Sequence, residues 1–253
     1  MAVERFIHRL PLYRSVLSKR NLRHSVQLVE LMTTVPTALV IWRAYGLRST
    51  IRYLVGLTTA LAAQRAFLSA MIQKIGPEQS SLADTLTLSR AAAGAVLAGL
   101  VTSGIRERKG IAGWIGWLML LLGVTDWLDG SLARQVGPTR LGGVLDIEAD
   151  SWLTLWSAAV AVAWGELPGW CLLPPIIHYL DPLLALMRGK LPQGGGPWWY
   201  RMVGASQVAL LIVALAPIDW RQRKQILTAA SLPVSSVQCA ALFVLLARKL
   251  QED

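Results

Sequence analysis

Ile111-Ala112-Gly113-Trp114-Ile115-Gly116-Trp117-Leu118-Met119-Leu120-Leu121-Leu122-Gly123-Val124-Thr125-Asp126-Trp127-Leu128-Asp129 is an apolar run without a charge until it closes on two acids. It approaches the roughly 20 residues a helix needs to cross a bilayer, and a helix is the form in which such a segment satisfies its own backbone in lipid. Similar runs occur at about 86–104, 142–164, 168–187, 202–217 and 226–247. The connections between them are mostly short and carry charges, Gly or Pro, as in Arg106-Glu107-Arg108-Lys109-Gly110 and Gly165-Glu166-Leu167-Pro168. The expectation is an all-α integral membrane protein with a core of six transmembrane helices.

Composition points the same way. Hydrophobic residues make up 54% of the 253 residues and charged residues 16%, less charge than a soluble domain of this size shows to water. The formal charge of +10 suits anionic lipid headgroups, and in a membrane chain these are the expected partners rather than nucleic acid. Tryptophans such as Trp114, Trp164, Trp170 and Trp220 fall near the ends of apolar runs, where the membrane–water interface collects them. Cys171 and Cys239 each sit in an apolar stretch without the neighbours of a redox or metal motif.

Residues 1–80 read as a basic, helical extension associated with the membrane. Arg5, Arg9, Arg14, Lys19, Arg20 and Arg23 are scattered among single apolar residues, which is unlike a cleaved signal peptide. Phe6, Leu10 and Leu17 have the spacing of an interfacial amphipathic helix, interrupted by Pro11. Two moderately apolar segments follow at 26–42 and 53–72, compatible with spanning, interfacial or packed placement. Gly76-Pro77-Glu78-Gln79-Ser80-Ser81 reads as a loop and marks the boundary with a catalytic domain at 81–253. Lys and Arg divide almost evenly between the two sets of loops. The basic N-terminus favours the side that carries the acids as cytoplasmic if residues 1–85 begin and end on one face.

Two acid pairs carry the chemistry. Asp126 and Asp129 are three residues apart at the end of one apolar run; Asp146 and Asp150 are four apart at the start of the next. Both spacings put the two carboxylates on one helix face. A tight turn between antiparallel helices brings the faces together, and four carboxylates so placed cost several kcal/mol unless compensated. Hard divalent cations, Mg²⁺ or Mn²⁺, prefer such oxygens and bind phosphates at the same time. Two ions held this way suit phosphoryl transfer. Gly130 permits close approach of a ligand to the backbone, and Arg134 offers a forked donor for phosphate. Competing readings are interfacial helix-end charges and a small transporter or ion carrier using intramembrane carboxylates. The ion carrier needs the acids but not Gly130, Ala133 and Arg134.

The segment resembles the signature of the CDP-alcohol phosphatidyltransferase family, D-x2-D-G-x2-A-R-x8-G-x3-D-x3-D. Asp126, Asp129, Gly130, Ala133, Arg134, Gly142, Asp146 and Asp150 match its fixed positions, with seven rather than eight residues between Arg134 and Gly142. Upstream, Asp84, Thr87 and Arg90 occupy the places of an Asn-x-x-Thr-x-x-Arg pattern, Asp replacing Asn. The resemblance implies transfer of a phosphatidyl-type group from a CDP-activated lipid, such as CDP-diacylglycerol, to an alcohol with release of CMP, in phospholipid synthesis. It implies Asp126, Asp129 and Asp146 as metal ligands, Asp150 as a further ligand and the general base, and a nucleotide site at Gly130, Ala133, Arg134, Gly142 and Thr87. It also implies a homodimer in the cell membrane.

Arg140 and Lys190 are candidates for binding phosphate, with Arg188 and Arg201 nearby in sequence, against the plainer reading of solvated loop charges. His178 and Asp181 suggest either a polar lining for the acceptor or a hydrogen-bond network at a helix kink. Glu148 points to another helix face than the acids beside it. Thr125-Asp126-Trp127-Leu128-Asp129-Gly130 is most similar to members that use glycerol 3-phosphate. Asp146-Ile147-Glu148-Ala149-Asp150-Ser151 departs from their usual Asp-Pro-x-Ala-Asp-Lys, so inositol phosphate, serine or another phospholipid as acceptor, or a non-lipid CDP-alcohol, stay open.

Overall fold

The computed structural model describes residues 22–75, 82–124, 140–188 and 197–251. Among the described residues all regular structure is helical. The elements are α1 (Leu22–Ile75), α2 (Leu82–Ser103), α3 (Ile111–Val124) and α4 (Arg140–Ala163), then a 3₁₀ turn (Gly169–Leu172), α5 (Leu173–His178), α6 (Leu180–Met187), α7 (Trp198–Leu215) and α8 (Arg223–Gln251).

The two segments expected at 26–42 and 53–72 belong to α1, which reverses at Gly46. There φ is +78° and ψ 177°, a backbone that glycine alone adopts cheaply. In a continuous helix Thr37 and Tyr53 would stand about 24 Å apart; instead Tyr53 Oη donates to Thr37 Oγ1 at 2.7 Å. Arg65 Nε likewise donates to Glu30 Oε1 at 2.9 Å. α1 is therefore an antiparallel hairpin with arms at 22–45 and 47–75.

The second arm lies antiparallel along α2. Thr102 Oγ1 donates to Arg52 O at 2.8 Å, and Gln64 Nε2 to Ala91 O at 2.9 Å. Small residues let these backbones approach: a Cβ on Gly99 would stand 2.6 Å from Tyr53 Cε2, and one on Gly56 2.8 Å from Ala98 O. The turn of the hairpin is pinned by Tyr45, whose hydroxyl donates to Glu107 Oε2 and accepts from the Ala112 N–H, both at 3.1 Å.

α2 and α4 run parallel, with α3 returning between them. Arg90 meets Asp146 and Asp150, Gly94 meets Trp152, and Trp164 Nε1 donates to Ile105 O at 2.8 Å. Gly116 of α3 faces Leu97, Leu100 and Trp164. The core is a layer of Val96, Leu97, Leu100, Leu120, Leu153, Leu211 and Leu215, all buried.

The run at 168–187 is not one helix as expected. Pro174 and Pro175 open α5 and Pro182 lies in α6, each lacking an N–H for the helix ladder, and the chain breaks into three short pieces around them. α7 stops at Leu215, and Ala216 before Pro217 is extended (ψ 128°), as a following proline demands.

Candidate functional site

The site begins with two helix faces. Thr87 and Arg90 are one turn apart on α2; Asp146 and Asp150 are one turn apart on α4. α4 approaches closely because Gly94, one turn beyond Arg90, has no side chain: a Cβ there would stand 2.5 Å from Trp152 Cδ1. The Arg90 guanidinium then bridges the helices. Nη1 donates to Asp150 Oδ1 at 3.0 Å, and Nη2 donates to Asp146 Oδ1 and, at 3.2 Å, to Thr87 Oγ1.

Burial gives this cluster a direction. The Arg90 side chain is 4% exposed, while those of Asp146 and Asp150 are 45% and 50% exposed. A charged fork thus sits at the back, and two carboxylates front it toward the open side. The fork fixes the mutual orientation of the two carboxylates. Thr87, expected to touch substrate, is buried and accepts from Arg90.

Arg90 carried no role of its own in the sequence reading. The signal available was the Thr87-x-x-Arg90 spacing, a buried-face arginine in an apolar helix, which demands an acid partner.

Of the other expected site residues, Asp126, Asp129, Gly130, Ala133, Arg134 and Lys190 lie outside the described residues. Gly142 and Arg140 lie in the first turns of α4, and the side chain of Arg140 also lies outside the described residues. α3 runs antiparallel to α2 and ends at Val124, and α4 starts at Arg140, so both flanks of 125–139 reach the Arg90 end of the bundle. Among the described residues no cluster of three or more His, Cys, Asp or Glu is assembled. Asp146 and Asp150 supply hard oxygen donors one turn apart and half exposed, which fits half of a divalent-cation site; a full set needs further acids.

His178 and Asp181 belong to hydrogen-bonded pairs that tie the broken segment to the neighbouring helices. His178 Nδ1 lies 3.2 Å from Tyr200 Oη, and Lys249 Nζ donates to Asp181 Oδ2 at 2.6 Å. This is the kink network of the two readings offered by the sequence. Arg188 and Arg201 are exposed. Glu148, on another face of α4 than the acids, lines a cleft together with Glu30, Arg65 and Gln64 of the hairpin.

The opposite end of the bundle carries a second ionic cluster. Arg108 Nε donates to Glu166 Oε1 at 3.1 Å and Nη1 to Ile218 O at 3.0 Å, and Arg108 also pairs with Asp219. Arg223 pairs with Glu166 and donates to Val213 O at 3.1 Å. The two guanidiniums, both buried, take up carbonyls that the end of α7 leaves without helical partners. In sequence these residues read as loop charges.

Comparison with known proteins gives a family match. The family model described as CDP-alcohol phosphatidyltransferase matches residues 80–252. Over 87 residues the chain is 39% identical to a protein of Streptomyces coelicolor named cardiolipin synthase (CMP-forming), an alignment covering 32% of this chain and 39% of that protein. The chain thus matches about two-fifths of that relative's length. No solved structure matches.

Proposed function

This chain belongs to the CDP-alcohol phosphatidyltransferase family, and from that premise we propose that it transfers a phosphatidyl group from a CDP-activated lipid, CDP-diacylglycerol, to an alcohol with release of CMP. The observation that carries this reading is the Arg90 fork, which orients Asp146 and Asp150 side by side at one end of the bundle. Asp150 takes the proton of the acceptor hydroxyl as that oxygen bonds to the phosphorus on the lipid side of the diphosphate. The bond from that phosphorus to the bridging oxygen breaks, and CMP departs with the bridging oxygen. A carboxylate that is oriented by Arg90 and half exposed is placed to meet an incoming hydroxyl. Gly130, Ala133, Arg134 and Gly142 take the nucleotide, and Arg140 and Lys190 meet phosphate.

Asp126, Asp129, Asp146 and Asp150 would hold two divalent cations, Mg²⁺ or Mn²⁺, which neutralise the diphosphate and the developing charge. The donor chemistry of the described pair supports this, and its partners are the first acid pair of the signature. A fixed, buried guanidinium behind the acids speaks against the ion-carrier reading, since a cation path gains nothing from a permanent competing charge.

The acceptor proposed is phosphatidylglycerol, the alcohol that yields cardiolipin on phosphatidyl transfer. The name of the Streptomyces relative supports it. The protein is proposed to sit in the cell membrane with six crossings in residues 81–253, the site facing the cytoplasm, and to pair as a homodimer. Trp198–Leu215 and Arg223–Lys249 are long and apolar enough to span by themselves.

The test supplies purified protein with CDP-diacylglycerol, phosphatidylglycerol and Mg²⁺ or Mn²⁺, and measures CMP. Metal-dependent CMP release that Asp150→Asn abolishes is the expected result. No CMP with any alcohol, or full activity in Asp150→Asn, would sink the mechanism.

A further inference from the structure

The N-terminal hairpin precedes the residues that the family model matches, yet it builds a cleft against the site. The cleft opens between its arms and α2 and α4. Its walls are largely apolar, with Leu61, Phe67 and Leu68 of the hairpin facing Leu88, Ala92 and Trp152. It shares backbone with the site: Ala91 follows Arg90, and Glu148 and Ala149 lie between Asp146 and Asp150. The Glu30–Arg65 pair joins the two arms at the cleft, with the Arg65 side chain 57% exposed.

We propose that this cleft binds an acyl chain of the acceptor phospholipid, with Arg65 at its edge meeting the acceptor's phosphate. The inference rests on the reading of the protein as a phosphatidyltransferase and assigns its acceptor side. Three observations favour this occupant. A largely apolar cleft whose polar edge is the Glu30–Arg65 pair, with the arginine side exposed, matches a lipid tail and a headgroup phosphate that shares the guanidinium with Glu30. The cleft adjoins the site on the neighbouring face of α4, where Glu148 and Ala149 lie within the turn between the two acids, so a chain seated there carries its headgroup within about a helix turn of Asp150. Finally, the CDP-linked donor is common to the family, whose matched region begins at residue 80; an element outside that region is free to serve the acceptor, which differs between members.

The test uses the full chain and a phosphatidylglycerol carrying a photoreactive acyl chain. Ala63→Trp fills the cleft from an exposed lining position, and Ala62→Trp adds the same bulk to an exposed neighbour that does not line it. The expected results are label on residues 61–68 or 88–92 in the wild type and in Ala62→Trp, and its loss in Ala63→Trp. Displacing about two methylenes of the chain would raise the KM for phosphatidylglycerol about tenfold with the KM for CDP-diacylglycerol unchanged. Label elsewhere, or an equal rise in both KM values, would overturn the assignment while CMP release upheld the enzyme. Cleft labelling in a protein that releases no CMP would keep the lipid site and fail the proposed function.

Discussion

Arg90 of α2 donates to the carboxylate of Asp150 on α4 across a sequence separation of 60 residues, Nη1 to Oδ1 at 3.0 Å. The same guanidinium reaches Asp146, so one buried group sets the geometry of two half-exposed acids. Arg90→Lys keeps the charge but loses the fork. Loosening the acids by an ångström or so is expected to lower CMP release about 100-fold. Stability should fall by about 1–3 kcal/mol, the scale of hydrogen bonds to charged groups. Activity and thermal melting of the same detergent-solubilised preparation check both numbers.

Asp150 and Asp146 should separate in kinetics although they share a partner. Asp150→Asn is expected to cost about 10²–10⁴-fold in kcat, the span of a lost general base, with little change in melting temperature. Half exposure of that side chain means that few packing contacts are lost.

Asp146→Asn should instead show its main effect in a metal titration. Chelation by EDTA is expected to abolish activity in the wild type, and Mg²⁺ or Mn²⁺ to restore it. The variant would need about 10–100-fold more metal for half-maximal rate, at least the loss seen when partners of metal ligands are removed. An unchanged titration would place the ions elsewhere.

At the far end, Glu166 lies between Arg108 and Arg223. Glu166→Ala leaves two buried guanidiniums without their shared acid and should destabilise the protein by about 3 kcal/mol. The kcat of the folded fraction should stay at the wild-type value, because this cluster and the Arg90 site occupy opposite ends of the bundle. A melt and an active-fraction assay separate the two effects.

Gly46→Ala probes the hairpin. A Cβ at Gly46 meets no atom within 4 Å, so the cost is backbone strain at φ +78°, about 1–3 kcal/mol. Faster proteolysis between the arms is the expected readout.

The helices were legible because apolar runs separated by charged connections leave few other choices. The break in the run at 168–187 was written in Pro174, Pro175 and Pro182, but the hydropathy pattern carries straight through them. The reversal at Gly46 was hidden for the opposite reason: apolar residues flank a single glycine, and its φ is settled by Tyr45 and Tyr53 docking on distant segments. At the site, spacing alone put Asp146 and Asp150 on one face. Arg90 could not be assigned from sequence, since its partners lie 56 and 60 residues away. The Arg108–Glu166–Arg223 cluster was missed because charges in connections look like solvated charges until three connections meet.

The parallel course of α2 and α4 has a consequence for biosynthesis. Arg90 is synthesised 56 residues before Asp146 and 60 before Asp150, the acids it pairs with. The hairpin is already made by then, and its second arm offers α2 the close glycine contacts at Gly56 and Gly99. Order of synthesis therefore gives α2 its packing partner before its counter-charges are made.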